Sequence, residues 1–158
     1  MAAGGGGAGQ SADVGNGNWP GIPGGKGGPT GESGKRRGEG TTGGITANAA
    51  RGGTAEKLQP VTNIGGNSKL SGTQLGVGAD GAASSWIAVE GTGGGGGGYY
   101  GGEAIQNLDQ SNDKWHYPAF TASGAGGSNY VGTGFIGTVN EATTRYGNGY
   151  VIIEYIPE

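Results

Sequence analysis

The chain has 158 residues, of which 43 are Gly and 6 are Pro, and its formal net charge at pH 7 is −3. Because Gly and Pro interrupt helices, and Leu, Ile, Val and Phe together number only 22, an ordinary α-helical or α/β enzyme domain is excluded. The absence of Cys excludes disulfides and thiolate metal sites, and no run of about 18 apolar residues is present that could cross a membrane.

The first predicted feature is a three-residue repeat of Gly within residues 4–44. Two sets of glycines are spaced by three, with a slip of one residue between them: Gly21, Gly24 and Gly27, then Gly28, Gly31 and Gly34. A polyproline-II helix has three residues per turn, so a Gly at every third position clears one of its faces for another backbone. The alternative for this stretch alone is a flexible Gly-rich linker.

Six consecutive glycines follow a β-rich run at residues 84–90 and end in two tyrosines. Six residues of polyproline II make two turns of about 19 Å, and without side chains they are bare on every face, as a helix surrounded by other helices requires. The predicted structural core comprises Gly93, Gly94, Gly95, Gly96, Gly97, Gly98, Tyr99 and Tyr100. Because each ordered Gly costs about 0.5–1 kcal/mol more than Ala, a dense lattice of backbone hydrogen bonds must offset that cost.

Residues 103–119 contain no Gly and combine aromatic with polar side chains. Trp115, His116 and Tyr117 form a possible recognition surface, because aromatic residues often anchor binding interfaces. Two other interpretations stay open for this stretch: a cap over one end of the helix bundle, or a contact between subunits.

The strongest strand signal lies at residues 150–156, where apolar residues occupy both alternating faces. This pattern predicts a buried strand. Weaker strand candidates are residues 73–77, 130–131 and 132–139.

Several motifs together resemble the glycine-rich domain found in the ectodomains of anaplastic lymphoma kinase and leukocyte tyrosine kinase. They are the hexaglycine with its tyrosines at residues 92–102, the Gly-Gly-Ser-Asn-Tyr-Val-Gly run at 126–132, and the terminal strand candidate with its preceding Gly-Asn-Gly at 147–155. The opening at residues 2–9 also resembles the family's first junction into polyglycine. Glycine-rich proteins of bacteria, protists and phages that share the terminal strand are more similar still.

The resemblance implies a bundle of polyglycine-II helices packed with a β-sheet scaffold, outside the cell, serving recognition or rigid display. Two departures limit it. The receptor domains carry Cys, which this chain lacks, and the strand expected upstream of Ala2 is missing. Cytokine binding is therefore not transferred to any residue.

No constellation in the sequence predicts catalysis, a cofactor or a metal site. Matches to the dinucleotide fingerprint arise by chance within polyglycine, and His116 is the single His. Asp109, Ser111 and Asp113 alternate like calcium ligands, but Lys114 occupies the place of the required Gly. The basic run at residues 35–37 is typical of a solvated loop.

The predicted fold is mainly β with non-regular structure: a bundle of polyglycine-II helices packed with a small antiparallel β-sheet, with almost no α-helix. Residues 1–158 are predicted to form a single domain, with a polyglycine-rich half at 1–83 and a half at 84–158 that holds the strands and the hexaglycine. We expect no enzyme, but a structural or adhesive module of the cell exterior or a virion surface, with no signal peptide in this chain.

Two alternatives accompany this expectation. The first is a self-assembling filament or fibre subunit completed by a neighbour's strand, and the second is a protein-ligand binding domain of a cell-surface receptor. The expected partners are a protein or glycan at a cell surface, or copies of the chain itself. Nucleic acid is not expected, since the sequence pI is only about 5.1.

Overall fold

The computed structural model describes about three fifths of the chain, with gaps between the described stretches. These stretches are residues 1–9, 12–14, 17–19, 21–37, 45–46, 50–62, 69–82, 92–106, 121–135, 152–155 and 157. Within them there is no helix, and all regular structure consists of short strands. The prediction of a mainly β, largely non-regular fold with almost no α-helix is therefore confirmed for this part of the chain.

In the described stretches, eight strands of two or three residues pair antiparallel. In chain order they are β1 Ala12–Val14, β2 Gly17–Trp19, β3 Arg36–Arg37, β4 Ile45–Thr46, β5 Val61–Thr62, β6 Lys69–Leu70, β7 Ile105–Gln106 and β8 Thr121–Ala122. β1 pairs with β2, while two three-stranded sheets have the orders β4-β3-β8 and β5-β6-β7. Several of these strands contain Val, Ile or Thr, the β-branched residues that favour a pleated backbone.

The apolar side-chain core is small. Among the described residues, one buried apolar cluster comprises Ala50, Leu70, Ile105, Ala122 and Ala125. Because this cluster contains only two side chains larger than a methyl group, burial of apolar side chains does little to hold the described segments together.

Backbone hydrogen bonds between Gly-rich segments supply the rest of the interior. Residues 122–128, here called the central segment, are all buried. The six successive N–H groups from Ser123 to Ser128 donate hydrogen bonds of 2.8–3.0 Å to three segments, residues 32–35, 4–7 and 100–103, in that order and then in the same order again. The acceptors, in order, are the carbonyls of Lys35, Gly7, Glu103, Glu32, Gly4 and Tyr100.

The carbonyls of the central segment are also used, by donors from three more directions. Ala122, Ala125 and Ser128 accept from the N–H groups of residues 93, 96 and 99, Gly124 and Gly127 accept from 25 and 28, and Gly126 accepts from 53. The central segment is thus hydrogen-bonded to six surrounding pieces of chain. An added Cβ at Gly124 would lie 1.9 Å from the carbonyl oxygen of Gly94, so this packing requires Gly.

Residues 92–99, here called the hexaglycine segment, are bonded to four neighbours. They donate from Gly93 and Gly96 to the central segment, and from Thr92 and Gly95 to residues 82 and 79. Their carbonyls at 94 and 97 accept from residues 7 and 4, and the carbonyl at 96 accepts from residue 102. The segment surrounded on all sides is therefore 122–128, which the sequence did not single out for this position.

The three-residue repeat near the N-terminus is present with a different register. Buried positions recur at Ile22, Gly25, Gly28, Gly31 and Gly34. The predicted set beginning at Gly21 is displaced by one residue, because Ile22 and Gly9 exchange both backbone hydrogen bonds and so fix which residues face inward. The slip predicted between Gly27 and Gly28 is wrong, because the buried positions keep a spacing of three from Ile22 to Gly34, although the chain bends at residues 29–30.

The weaker strand candidates are mostly wrong within the described residues. Residues 73–77 contain one isolated bridge, between Leu75 and Tyr100, and residues 130–135 contain a turn with a φ of 99° at Gly134 instead of a strand. The β-rich run at residues 84–90 lies outside the described residues.

The terminal segment differs most from its prediction. Residues 152–155 form no strand, and Ile152, Ile153 and Tyr155 are 73%, 70% and 87% exposed, so the predicted buried strand is wrong for them. A strand needs a neighbouring strand that supplies hydrogen bonds, and no residue in the described ranges pairs with residues 152–155.

Candidate functional site

The predicted core residues occupy both buried and partly exposed positions. Gly93, Gly96 and Gly98 are buried, whereas Gly94, Gly95 and Gly97 are half-buried. Tyr99 and Tyr100, at the end of the hexaglycine segment, are half-buried as well. One side of the hexaglycine segment thus packs inside the molecule, and the other is only partly covered.

Three tyrosines form a cluster at this end of the hexaglycine segment. The Tyr99 ring stacks on Tyr130 with centroids 4.3 Å apart and meets Tyr100 edge-on at 5.1 Å. The central segment positions them, because the Tyr99 N–H donates to the Ser128 carbonyl and the Tyr100 N–H donates to the Ser128 hydroxyl. Such ring pairs contribute about 0.5–1.5 kcal/mol beyond the area that they bury.

Exposed apolar side chains adjoin the tyrosine cluster. Leu75 bridges to Tyr100 through its backbone and is exposed, as are Tyr130 and the following Val131. An aromatic surface with apolar neighbours can anchor a protein or the apolar face of a sugar, since aromatic residues dominate binding hot spots. The tyrosine cluster and its apolar neighbours therefore form a candidate recognition surface.

The strongest electrostatic feature is a buried carboxylate that the sequence did not reveal. Glu103 is 0% exposed and accepts from the Arg51 guanidinium at 2.6 and 2.7 Å, and from the Arg51 backbone N–H at 3.0 Å. Arg51, whose side chain is 38% exposed, also donates to the Gln59 carbonyl. The pKa of Arg51 is raised, chiefly by its hydrogen bond to Glu103; burial opposes the rise and the carboxylate charge adds to it.

This pair joins segments that are 52 residues apart, so no local pattern could have indicated it. Glu103 also connects to the central segment, because its carbonyl accepts from the Ala125 N–H. A buried charge is tolerated only when it is paired and fully hydrogen-bonded, which assigns Arg51 and Glu103 a structural role.

The buried hydroxyl groups are likewise bonded to backbone. Ser128 Oγ donates to the Thr54 carbonyl at 2.7 Å, Ser123 Oγ accepts from the Lys35 N–H at 2.8 Å, and Thr73 Oγ1 accepts from the Leu58 N–H at 2.7 Å. All three side chains are at most 2% exposed. They hold segments together and are not presented to a substrate.

Several residues singled out from the sequence lie outside the described residues. These are Trp115, His116 and Tyr117 of the possible recognition surface, and Asp109, Ser111 and Asp113 of the calcium-like alternation. The basic run has Lys35 exposed and continues into β3. Among the residues that are described, no three or more His, Cys, Asp or Glu side chains cluster as a metal site would, and no helix is long and apolar enough to cross a membrane.

A scan against protein-family models found no match, and searches of curated proteins and of solved structures found no similar protein. The resemblance to the glycine-rich receptor domains therefore stays a prediction carried by the residues themselves.

Proposed function

We propose that this chain is a non-catalytic structural and adhesive module of the cell exterior or a virion surface, whose Gly-rich segments are polyglycine-II helices packed as a rigid bundle. The observation that carries this proposal is the repeating order in which residues 123–128 donate their N–H groups to three separate segments. A helix with three residues per turn and no internal hydrogen bonds presents its N–H groups in that order. A β-strand would instead alternate between two directions.

Two further observations support a structural role. Gly occupies positions where two segments approach too closely for a side chain. At Gly126, for example, an added Cβ would lie 1.9 Å from the Lys26 carbonyl oxygen. The buried polar side chains Glu103, Ser123 and Ser128 are engaged with backbone or with Arg51. The location outside the cell rests on the resemblance of residues 92–102, 126–132 and 147–155, and the adhesive contact is assigned to the surface around Tyr99, Tyr100 and Tyr130.

Residue-resolved amide hydrogen exchange tests the bundle. The N–H groups of Gly93, Gly95 and Gly96 donate to residues 122, 79 and 125, so they should exchange far more slowly than those of an unstructured peptide. Gly94 and Gly97, whose N–H groups have no acceptor among the described residues, should exchange faster than Gly93, Gly95 and Gly96. Fast exchange at every position from 93 to 98 would refute the proposal.

The exposed terminal segment favours a second function, a filament or fibre subunit in which copies exchange strands. Ile152, Ile153 and Tyr155 combine high β propensity with high exposure, and an unpaired apolar segment of this kind adds readily to a sheet edge. Sedimentation at high protein concentration tests this second function. Growing assemblies that disappear when Ile153 is replaced by Lys are expected, and a chain that sediments only as monomer or closed dimer would contradict it.

A further inference from the structure

Two of the clustered tyrosines are in ring contact although they come from different segments of the chain. Tyr99 ends the hexaglycine segment, whereas Tyr130 lies just beyond the central segment. Their rings stack with centroids 4.3 Å apart and an angle of 18° between the ring planes. The contact brings one phenol from each segment together, which is the arrangement that a covalent cross-link between side chains requires.

Backbone hydrogen bonds hold both residues in place. The Tyr99 N–H donates to the Ser128 carbonyl at 2.7 Å, and the Tyr130 N–H donates to the Met1 carbonyl at 3.0 Å. The Tyr100 N–H donates to the Ser128 hydroxyl at 3.1 Å and secures the same end of the hexaglycine segment. Because the backbone is fixed on both sides, a reaction between the two rings has the high effective concentration of an intramolecular reaction.

The stacked pair is accessible from solvent on the Tyr130 side. Tyr130 is 44% exposed, and Tyr99 is half-buried beside it. Among the residues that the structure describes, none forms a hydrogen bond with either phenol hydroxyl. An oxidant outside the molecule can therefore take an electron from Tyr130, and the Tyr99 ring is in contact with the ring that is oxidised.

The composition of the chain leaves covalent stapling to side chains other than Cys. Without Cys no disulfide can join its segments, and the one Met is residue 1. Thiols and thioethers are the groups that peroxides oxidise readily, so few side chains of this kind compete for an oxidant. The benefit of a staple outside the cell rests on the proposed function, whereas the ring geometry does not depend on it.

We propose that Tyr99 and Tyr130 form a modification site, at which an oxidant joins the two rings in a dityrosine cross-link. The oxidant is hydrogen peroxide, which acts through a haem peroxidase. Each phenol gives one electron to the peroxidase and one proton to water, which leaves a tyrosyl radical on each ring. The two unpaired electrons form a bond between ring carbons ortho to the hydroxyls. The proton on each bonded carbon then moves to its phenol oxygen, and one hydrogen peroxide becomes two water molecules.

The cross-link ties the end of the hexaglycine segment to the end of the central segment. The bonded rings must rotate out of their stack, and the exposed side of Tyr130 gives room for that rotation. A link between residues 99 and 130 restricts the unfolded chain, so it should raise Tm by about 7–15 °C. A linked chain with the Tm of the unlinked chain would overturn the stapling role.

Treatment of the purified chain with hydrogen peroxide and a haem peroxidase tests the site. The protein is kept dilute, because links between molecules are then disfavoured. Dityrosine fluorescence is expected in a chain that stays monomeric and whose mass falls by two hydrogen atoms. Trypsin cleaves after Lys and Arg, which places Tyr99 in the peptide 70–114 and Tyr130 in the peptide 115–145. These two peptides should be recovered joined, and their recovery only as separate peptides would overturn the proposal.

Phe variants show which tyrosines react. Tyr130→Phe keeps the stacked ring but removes the phenol, so the yield of joined peptide should fall by about tenfold or more while the fold is kept. Tyr155→Phe is the matched control, because it removes the most exposed tyrosine among the described residues. Its yield of joined peptide should equal that of the wild-type chain. Equal yields from Tyr130→Phe and Tyr155→Phe would assign the link to another tyrosine and overturn the proposal.

Amide exchange on the same samples separates this proposal from the proposed bundle. Protected N–H groups at Gly93 and Gly96 without joined peptides would overturn the cross-link and leave the bundle intact. Joined peptides from a chain in which Gly93 and Gly96 exchange freely would support the cross-link and contradict the bundle.

Discussion

Adjacent glycines in the hexaglycine segment should respond very differently to the same added methyl group. In Gly96→Ala the new Cβ would lie 2.1 Å from the Gly4 carbonyl oxygen and 2.7 Å from that of Gly5. In Gly97→Ala the nearest atom, the Gly76 carbonyl oxygen, lies 3.4 Å away, which is ordinary van der Waals contact. The two variants therefore form a matched pair that differs only in the direction of the methyl group.

The size of the difference follows from what must move. To relieve the contact at Gly96, residues 4–7 must separate from the hexaglycine segment, to which Gly4 and Gly7 each donate one hydrogen bond of 2.7 Å. Two such bonds contribute about 1–3 kcal/mol, and overpacking adds about 1–3 kcal/mol, so Gly96→Ala should cost about 2–6 kcal/mol. Gly97→Ala should change the free energy of unfolding by less than about 1 kcal/mol, because Ala restricts the unfolded chain.

Thermal and urea unfolding monitored by circular dichroism measure both variants. For a chain of this length, about 3 kcal/mol corresponds to a fall in Tm of about 6–12 °C. If Gly96→Ala and Gly97→Ala unfold within about 1 kcal/mol of each other, the close packing of residues 4–7 against the hexaglycine segment is refuted.

Three further predictions concern side chains. Glu103→Gln should lower the free energy of unfolding by about 3 kcal/mol. This is the low end of the range for a broken buried ion pair, because Arg51 is partly exposed. Equal urea midpoints for the variant and the wild-type chain would contradict this prediction. Because the pKa of Arg51 is raised, the stability that this group contributes is complete at any pH below the ordinary pKa of Arg and is lost only as pH rises through the pKa of the folded state. Glu103→Gln should therefore show the same deficit in the free energy of unfolding at neutral and mildly alkaline pH. Ser128→Ala should cost about 1–3 kcal/mol by leaving the Thr54 carbonyl unpaired, whereas the exposed Ser33→Ala should change stability by less than about 0.5 kcal/mol. Tyr130→Ala should cost about 1 kcal/mol in the same assay, while Tyr130→Phe, which keeps the ring stacked on Tyr99, should match wild type.

The sequence predicted those features that depend on composition and local spacing. The excess of Gly over large apolar residues indicated a mainly non-helical fold. Gly31 and Gly34, two members of the predicted three-residue repeat, face inward as that spacing predicts. The register at Gly21 and Gly24 was wrong because the contact between Ile22 and Gly9, which is distant along the chain, sets it.

Features that depend on distant partners were not predictable. The central segment contains Ala and Ser among its glycines, so its sequence is less conspicuous than the hexaglycine, yet it has more hydrogen-bonded neighbours. The pairing of Arg51 with Glu103 spans 52 residues. The terminal segment around Ile153 has strong local β propensity, but propensity does not supply a neighbouring strand.

The way in which the central segment distributes its N–H groups also determines when this chain can fold. Its partners include Lys35, which is bonded to Ser123 across 88 residues, and the still more distant Gly4 and Gly7, while Met1 is bonded to Tyr130 across 129. Local helices or hairpins can form during synthesis, but this interior cannot, because the carbonyls of residues 4–7, 32–35 and 100–103 have no common donor until residues 122–128 have been made. Folding should therefore be slow and late, and the first hundred residues must stay soluble meanwhile, a task suited to a sequence with so few apolar side chains.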